Sequence, residues 1–134
     1  MQKYILILKS SRNEISKFEE LLQKVNAEFG MSQEKFINLQ IACSEALINA
    51  IVHGNKEQNG KQVYTEILHD YVLMCIRIKD EGEGFDLNSV PDPTSSDNIL
   101  KEHGRGIYII KSLVDEFECN SSKNGTEYLL KIKK

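Results

Sequence analysis

Two apolar stripes of helical period stand back to back in the first half of the chain, with one strand-like run before them and strand-like runs soon after. Ile15, Phe18, Leu21, Leu22, Val25 and Phe29 recur at steps of three and four and stop at Gly30. Phe36, Leu39, Cys43, Ala46, Leu47, Ala50 and Ile51 form the second stripe. It opens at a Ser32 N-cap with Glu34 just inside, and it stops at Gly54. Consecutive helices break the strict strand–helix alternation of a doubly wound parallel sheet, so that architecture is missing here.

The remaining runs complete the order. Residues 4–8 are apolar and continuous, which predicts a strand covered in part on both faces. Ser10, Ser11 and Asn13 then supply helix-start chemistry. Residues 63–68 and 72–78 predict a hairpin joined near His69-Asp70. In its second strand Val72, Met74, Ile76 and Ile78 share one face. Residues 88–102 hold both prolines and no apolar period, and they read as a long loop. A short helix is expected over 106–113. A strand through Phe117 and Cys119 follows, then an Asn124-Gly125 turn and a last strand with Thr126, Tyr128, Leu130 and Ile132 on one face. This order predicts an α+β fold: a two-layer α/β sandwich whose mixed, mostly antiparallel sheet is covered by three helices on one face. No repeat or linker divides residues 1–134, so one domain is expected.

Composition narrows the function classes. Seventeen Lys and Arg against 20 Asp and Glu give a net charge of −3, which argues against a general electrostatic grip on nucleic acid. Cys43, Cys75 and Cys119 are odd in number and widely spaced, so neither a zinc knuckle nor a disulfide framework is expected. They read as small buried hydrophobes in a reducing compartment. The apolar run at the N-terminus is too short for a signal-peptide core or a membrane span. The chain therefore reads as cytoplasmic, complete from its first residue and without a membrane segment.

Three motifs carry chemistry. Glu45, Asn49 and His53 are spaced by four and form one polar row on an otherwise apolar helix. An Asn carbonyl suits Mg²⁺, and a carboxylate one turn away can accept a proton from an attacking hydroxyl. The same spacing also fits Glu45 and His53 in solvent with Asn49 bonded to backbone. The row lacks the His-Glu-x-x-His arrangement of a zinc site. The second motif is Asp80-Glu81-Gly82-Glu83-Gly84, a carboxylate closing a strand before two glycines. Such a carboxylate can accept from an amino group while the glycines let a ligand approach, although a tight turn with an acidic rim has the same pattern. The third is Gly104-Arg105-Gly106 leading into a helix, where free N–H groups and a positive dipole end suit phosphate, with Lys101 adding charge. Ile109 occupies the third glycine position of the dinucleotide pattern, so that reading fails.

Each motif alone is weak, but their order and settings together resemble the GHKL (Bergerat-fold) ATP-binding domains. Glu45 to Asn55 looks like that superfamily's N box, Asp80 to Asp86 like its G1 box, and His103 to Ile110 like its G2 box. Gly84-Phe85-Asp86, Val90-Pro91-Asp92-Pro93-Thr94, Gly104-Arg105-Gly106-Ile107, Val114-Asp115-Glu116 and Gly125-Thr126 resemble the branch of small anti-sigma-factor serine kinases (RsbW-like). The resemblance implies ATP and Mg²⁺ as cofactors, with Asn49 coordinating the metal. It implies that Asp80 holds the adenine amino group, with room from Gly82 and Gly84 and with Thr126 beside the base. Residues 88–103 would be a lid, Lys101, Gly104, Arg105 and Gly106 would close on the triphosphate, and Glu45 would be the base. Phe85 reads as a packing residue behind the loop.

The resemblance further implies a serine/threonine protein kinase that phosphorylates a small antagonist protein and regulates a sigma factor. It also implies a homodimer, with no direct nucleic acid or membrane partner. No helical segment with a phospho-accepting His precedes the first strand, which separates the chain from a histidine kinase, and 134 residues leave no room for the further domains of gyrase-type enzymes or chaperones. The alternative is a catalytically weak or inactive, nucleotide-dependent protein-binding module.

Overall fold

The structure is a computed structural model that describes residues 1–84 and 102–134, with side chains from 104 onward in the second span. It contains β1 (Gln2–Lys9), α1 (Ile15–Phe29), α2 (Gln33–Ile48), a π-helical continuation of α2 (Asn49–Gly54), β2 (Gln62–His69) and β3 (Leu73–Lys79). After the undescribed stretch come α3 (Glu102–Leu113), β4 (Glu116–Ser122) and β5 (Gly125–Lys133). The strands form one sheet in the order β1-β2-β3-β5-β4, with the helices on one face.

Among the described residues every neighbouring pair of strands is antiparallel, where a mixed sheet was expected. The crossover through α3 carries the chain from β3 past one strand position to β4. β5 then turns back into the vacant slot, and the parallel strands β3 and β4 never touch.

Both helix boundaries read from Gly30 and Ser32 are met. Gly30 takes the left-handed φ of 78° and its N–H bonds to Asn26 O at 2.7 Å, while Ser32 Oγ accepts from Lys35 N at 3.3 Å. Phe18, Leu22, Val25 and Phe29 of α1 and Leu39, Ala42, Cys43, Ala46 and Leu47 of α2 are buried. They pack on the inward residues of alternating strand positions, among them Val63, Ile67, Met74, Ile78, Tyr128, Leu130 and Ile132. Each large apolar side chain in this layer contributes about 1.5–3 kcal/mol by leaving water. The helix Gln33–Gly54 is long and apolar enough to cross a bilayer by length and composition, but much of its apolar surface is this core.

Four expectations need correction. β1 is not covered on both faces: Ile5 and Ile7 are 53% and 54% exposed, because the helices cover only the other side of this edge strand. Val72 lies outside β3, in a turn where Asp70 Oδ1 accepts from Val72 N and Leu73 N, both at 2.8 Å. Only Cys43 of the three cysteines is fully buried. The third helix starts at Glu102, four residues before the expected Gly106, because Gly104 and Gly106 are tolerated inside a helix that packs closely on α2.

Candidate functional site

The polar row of α2 falls where the helix changes character. Glu45 is in the last regular turn, Asn49 opens the π-helical segment, and His53 lies one turn further. Asn55 N bonds to Ala50 O at 2.8 Å, the five-residue reach of a π-turn, a widening that recurs at functional positions in helices. Asn49 is 1% exposed and its Nδ2 is buried without a hydrogen-bond partner among the described residues. Gly106 of α3 lies directly over this row. A β-carbon on Gly106 would sit 3.1 Å from Glu45 Oε2 and 3.3 Å from both amide atoms of Asn49, so the space above them exists because residue 106 is glycine.

Asp80 forms the second part. It follows β3 and is 1% exposed. Its Oδ1 accepts from Gly82 N at 2.9 Å and Thr126 N at 3.0 Å, and its own N–H donates to Thr126 O at 3.0 Å. Its Oδ2 is buried with no hydrogen-bond partner among the described residues. Burial pushes the Asp80 carboxyl above the usual carboxylate range, against the opposing pull of the two backbone N–H bonds and of Lys61. Gly54 is packed on this carboxylate: a β-carbon on Gly54 would overlap Asp80 Oδ2, and one on Gly82 would overlap the Gly54 carbonyl oxygen. Gly125, at a φ of 128°, brings the start of β5 equally close to the Asp80 carbonyl.

Asn55 joins these segments. It is fully buried, and its Nδ2 donates to Ser10 Oγ at 2.6 Å and Gln62 O at 2.9 Å. Its Oδ1 accepts from Glu81 N at 2.7 Å, and Ser10 Oγ in turn donates to Lys61 O at 3.0 Å.

The fold therefore brings Glu45, Asn49 and Gly106 into one cluster, and Asp80, Gly82 and Thr126 into another. Gly54 and the π-helical turn connect the two. The Thr126 hydroxyl pairs with Ser121 Oγ at 2.8 Å, and Gly84, at a φ of 79°, abuts the Ser122 carbonyl. Gly104, buried, and Arg105, exposed, lie within the first turns of α3 rather than ahead of it, so the expected loop before a helix start is replaced by helix. Lys101, Phe85 and residues 88–101 of the expected lid lie outside the described residues. Sequence reasoning treated Gly54 only as a helix stop and gave Asn55 no role. Their signal was positional, a Gly-Asn pair directly after the polar row.

More than nine in ten buried polar groups in folded proteins are satisfied, so two orphans flanking one glycine-lined region point to a ligand. Asp80 Oδ2 is an acceptor waiting for a donor such as an exocyclic amino group. The Asn49 amide offers a donor for a phosphate oxygen and a carbonyl oxygen for a hard cation. Among the described residues no three His, Cys, Asp or Glu side chains converge on a metal position. A cation beside Asn49 would thus draw on phosphate and water oxygens, as Mg²⁺ does.

Comparison with known proteins places the chain in a family. The family described as histidine kinase-like ATPase domain matches residues 8–132. The serine-protein kinase RsbW of Staphylococcus aureus (strain bovine RF122 / ET3-1) is 32% identical over 116 residues, covering 80% of this chain and 72% of that protein. The solved RsbU and RsbW domains of a Mycobacterium tuberculosis protein superpose with a TM-score of 0.68 at 19% identity, covering 98% of this chain. This chain spans only 32% of that longer one. The histidine kinase domain of a blue-light activated histidine kinase from Erythrobacter litoralis superposes with a TM-score of 0.55 at 17% identity, covering 88% of this chain and 59% of that one.

Proposed function

The chain belongs to the histidine kinase-like ATPase domain family, and we propose that within it the protein is an ATP-dependent serine/threonine protein kinase of the anti-sigma type. The observation that carries the reading is the pair of unpartnered buried atoms, Asp80 Oδ2 and Asn49 Nδ2, joined through Gly54. The similarity to a serine-protein kinase supports the phosphotransfer part.

On this reading Asp80 Oδ2 accepts from the adenine amino group, Gly82 and Gly84 let the loop backbone pack against Gly54 and Ser122 beside the base, and Thr126 holds Asp80 in place. Asn49 provides oxygen to Mg²⁺ and a donor to phosphate. Gly104, Arg105 and Gly106 face the triphosphate, and Lys101 contributes positive charge toward it. When bound, Mg²⁺ neutralises phosphate charge, the dominant need in phosphoryl transfer. Glu45, one turn from Asn49, takes the proton of the acceptor hydroxyl as its oxygen attacks the γ-phosphorus of ATP and the bond from that phosphorus to the departing ADP breaks. The acceptor is a Ser or Thr of a small antagonist protein, and the regulated partner is a sigma factor. The proposal extends to a cytoplasmic homodimer. Incubation with Mg-ATP and a small acceptor protein bearing an accessible Ser should yield phosphoserine. Failure to bind ATP in a calorimetric titration overturns the reading at its root.

One observation favours a second reading, a nucleotide-dependent binding module that turns over little. Gly106 lies close over Glu45 and Asn49, which leaves little room on that side for an acceptor hydroxyl beside Glu45. ATP binding without phosphorylated product would select this module.

A further inference from the structure

Asn55, at the end of the Glu45–Asn55 stretch, is a fully bonded polar side chain beside the site to which the motif reading gave no role. Asn55 is fully buried and uses both amide hydrogens and its carbonyl oxygen, binding Ser10 after β1, Gln62 at the start of β2 and Glu81 after β3. The orientation of its amide is set by the network. Glu81 N–H requires an acceptor and the Gln62 carbonyl requires a donor, while Ser10 spends its own hydrogen on Lys61 O.

The placement of these bonds matters more than their number. Glu81 N belongs to the peptide that follows Asp80, so Asn55 Oδ1 fixes the chain at the point where the carboxylate emerges. Asn55 also follows Gly54 directly, and Gly54 is the wall against Asp80 Oδ2 and the Gly82 backbone. One side chain thus holds both the loop that carries the free carboxylate oxygen and the backbone that covers it.

We infer that Asn55 is a positioning residue for base selection: it clamps Gly54 and the Asp80–Glu81 peptide so that Asp80 Oδ2 stays dry and aimed to accept from a 6-amino purine. The inference rests on the nucleotide reading above and assigns it a residue that does not touch the ligand. A preformed, desolvated acceptor discriminates strongly between amino and oxo groups, because the wrong group leaves it unpaired. A loosened acceptor that water can reach discriminates less.

The test is calorimetric titration of the full chain with ATP and with ITP, which carries a 6-oxo group in place of the amino group. Asn55→Asp keeps the shape but sets a carboxylate oxygen against the Gln62 carbonyl. Its ATP affinity should fall about tenfold or more while ITP affinity falls less, so the ATP-to-ITP preference narrows. A merely structural role would lower the melting temperature and leave that ratio unchanged, and this outcome overturns the inference. Should Asn55→Asp fail to fold, Ser10→Ala removes one partner and leaves the Glu81 and Gln62 bonds in place. It should narrow the ratio in the same direction by a smaller factor, and an unchanged ratio there also overturns the clamp. If wild type binds neither nucleotide, the nucleotide reading itself fails and the inference falls with it. If wild type prefers ATP and the variants keep that preference, only the clamp fails.

Discussion

The Cα of Gly54 is packed so tightly on the Asp80 carboxylate that a β-carbon there would overlap Asp80 Oδ2. The end of one helix thereby becomes the wall over a buried acceptor at the end of a strand. Gly54→Ala should push the Asp80 side chain away from Gly82 N and Thr126 N. Overpacking of this kind costs about 1–3 kcal/mol. Thermal melts should show that loss, and calorimetry should show ATP binding weakened by more than the stability change alone accounts for.

Asp80→Asn tests the acceptor itself and its pH behaviour. The amide can keep its oxygen on Gly82 N and Thr126 N while turning a donor toward the site, so ATP binding should be lost. Burial raises the Asp80 carboxyl in the folded state. A carboxyl with a raised folded value contributes most favourably below its unfolded value, and that contribution is lost as pH rises through the folded value. The stability advantage of Asp80→Asn over wild type should therefore grow from about pH 4 upward, read as the difference between their urea midpoints. Asp70, held low by the Val72 and Leu73 N–H bonds, and Glu14, held low by Lys17 and the Lys9 N–H, act in the opposite sense. Their contributions are present above the ordinary carboxylate range and lost on acidification, in both proteins alike.

Asn49→Ala separates function from folding. The residue is buried with an unpartnered Nδ2, so removing it relieves an unmet polar group as it opens a small space. Stability should change by no more than about 1 kcal/mol. Mg²⁺-dependent nucleotide binding and phosphotransfer should both collapse, and retention of wild-type transfer would sink the site.

Glu45→Gln keeps the side chain's shape beside Gly106 and removes its basicity. ATP affinity should stay within a few-fold of wild type while single-turnover transfer to the acceptor falls by about 10²–10⁴. Equal loss of binding and transfer would place Glu45 in binding rather than proton removal.

Phe18→Ala probes the core under the sheet, where Phe18 is fully buried on α1. The truncation should cost about 3–5 kcal/mol in a urea titration.

The sequence was legible wherever a local rule governs structure. Helix periodicity, the Gly30 and Ser32 boundaries and the alternation through Met74, Ile76 and Ile78 all appear in the structure. The outcome differed where tertiary packing overrides local preference. Gly104-Arg105-Gly106 read as a loop leading into a helix, yet α3 starts at Glu102 and runs through it, with Gly106 lying close to Glu45 and Asn49 of the neighbouring helix. The apolar Ile5 and Ile7 read as covered, yet both are more than half exposed and no helix among the described residues lies on their side of β1.

By itself the sequence determined the element order, the polar row Glu45-Asn49-His53 and the two glycine-bearing motifs, because spacing along a helix or strand sets which side chains share a face. Only the tertiary structure decided that Asp80 presents one bonded and one free oxygen, that Gly54 walls the free one, and that Asn55 ties that wall to Ser10, Gln62 and Glu81. Those relationships join residues up to 46 positions apart, the span of the Thr126–Asp80 bond. Hydrogen-bond partners at such separations are chosen by sheet order and close packing, which no local pattern encodes.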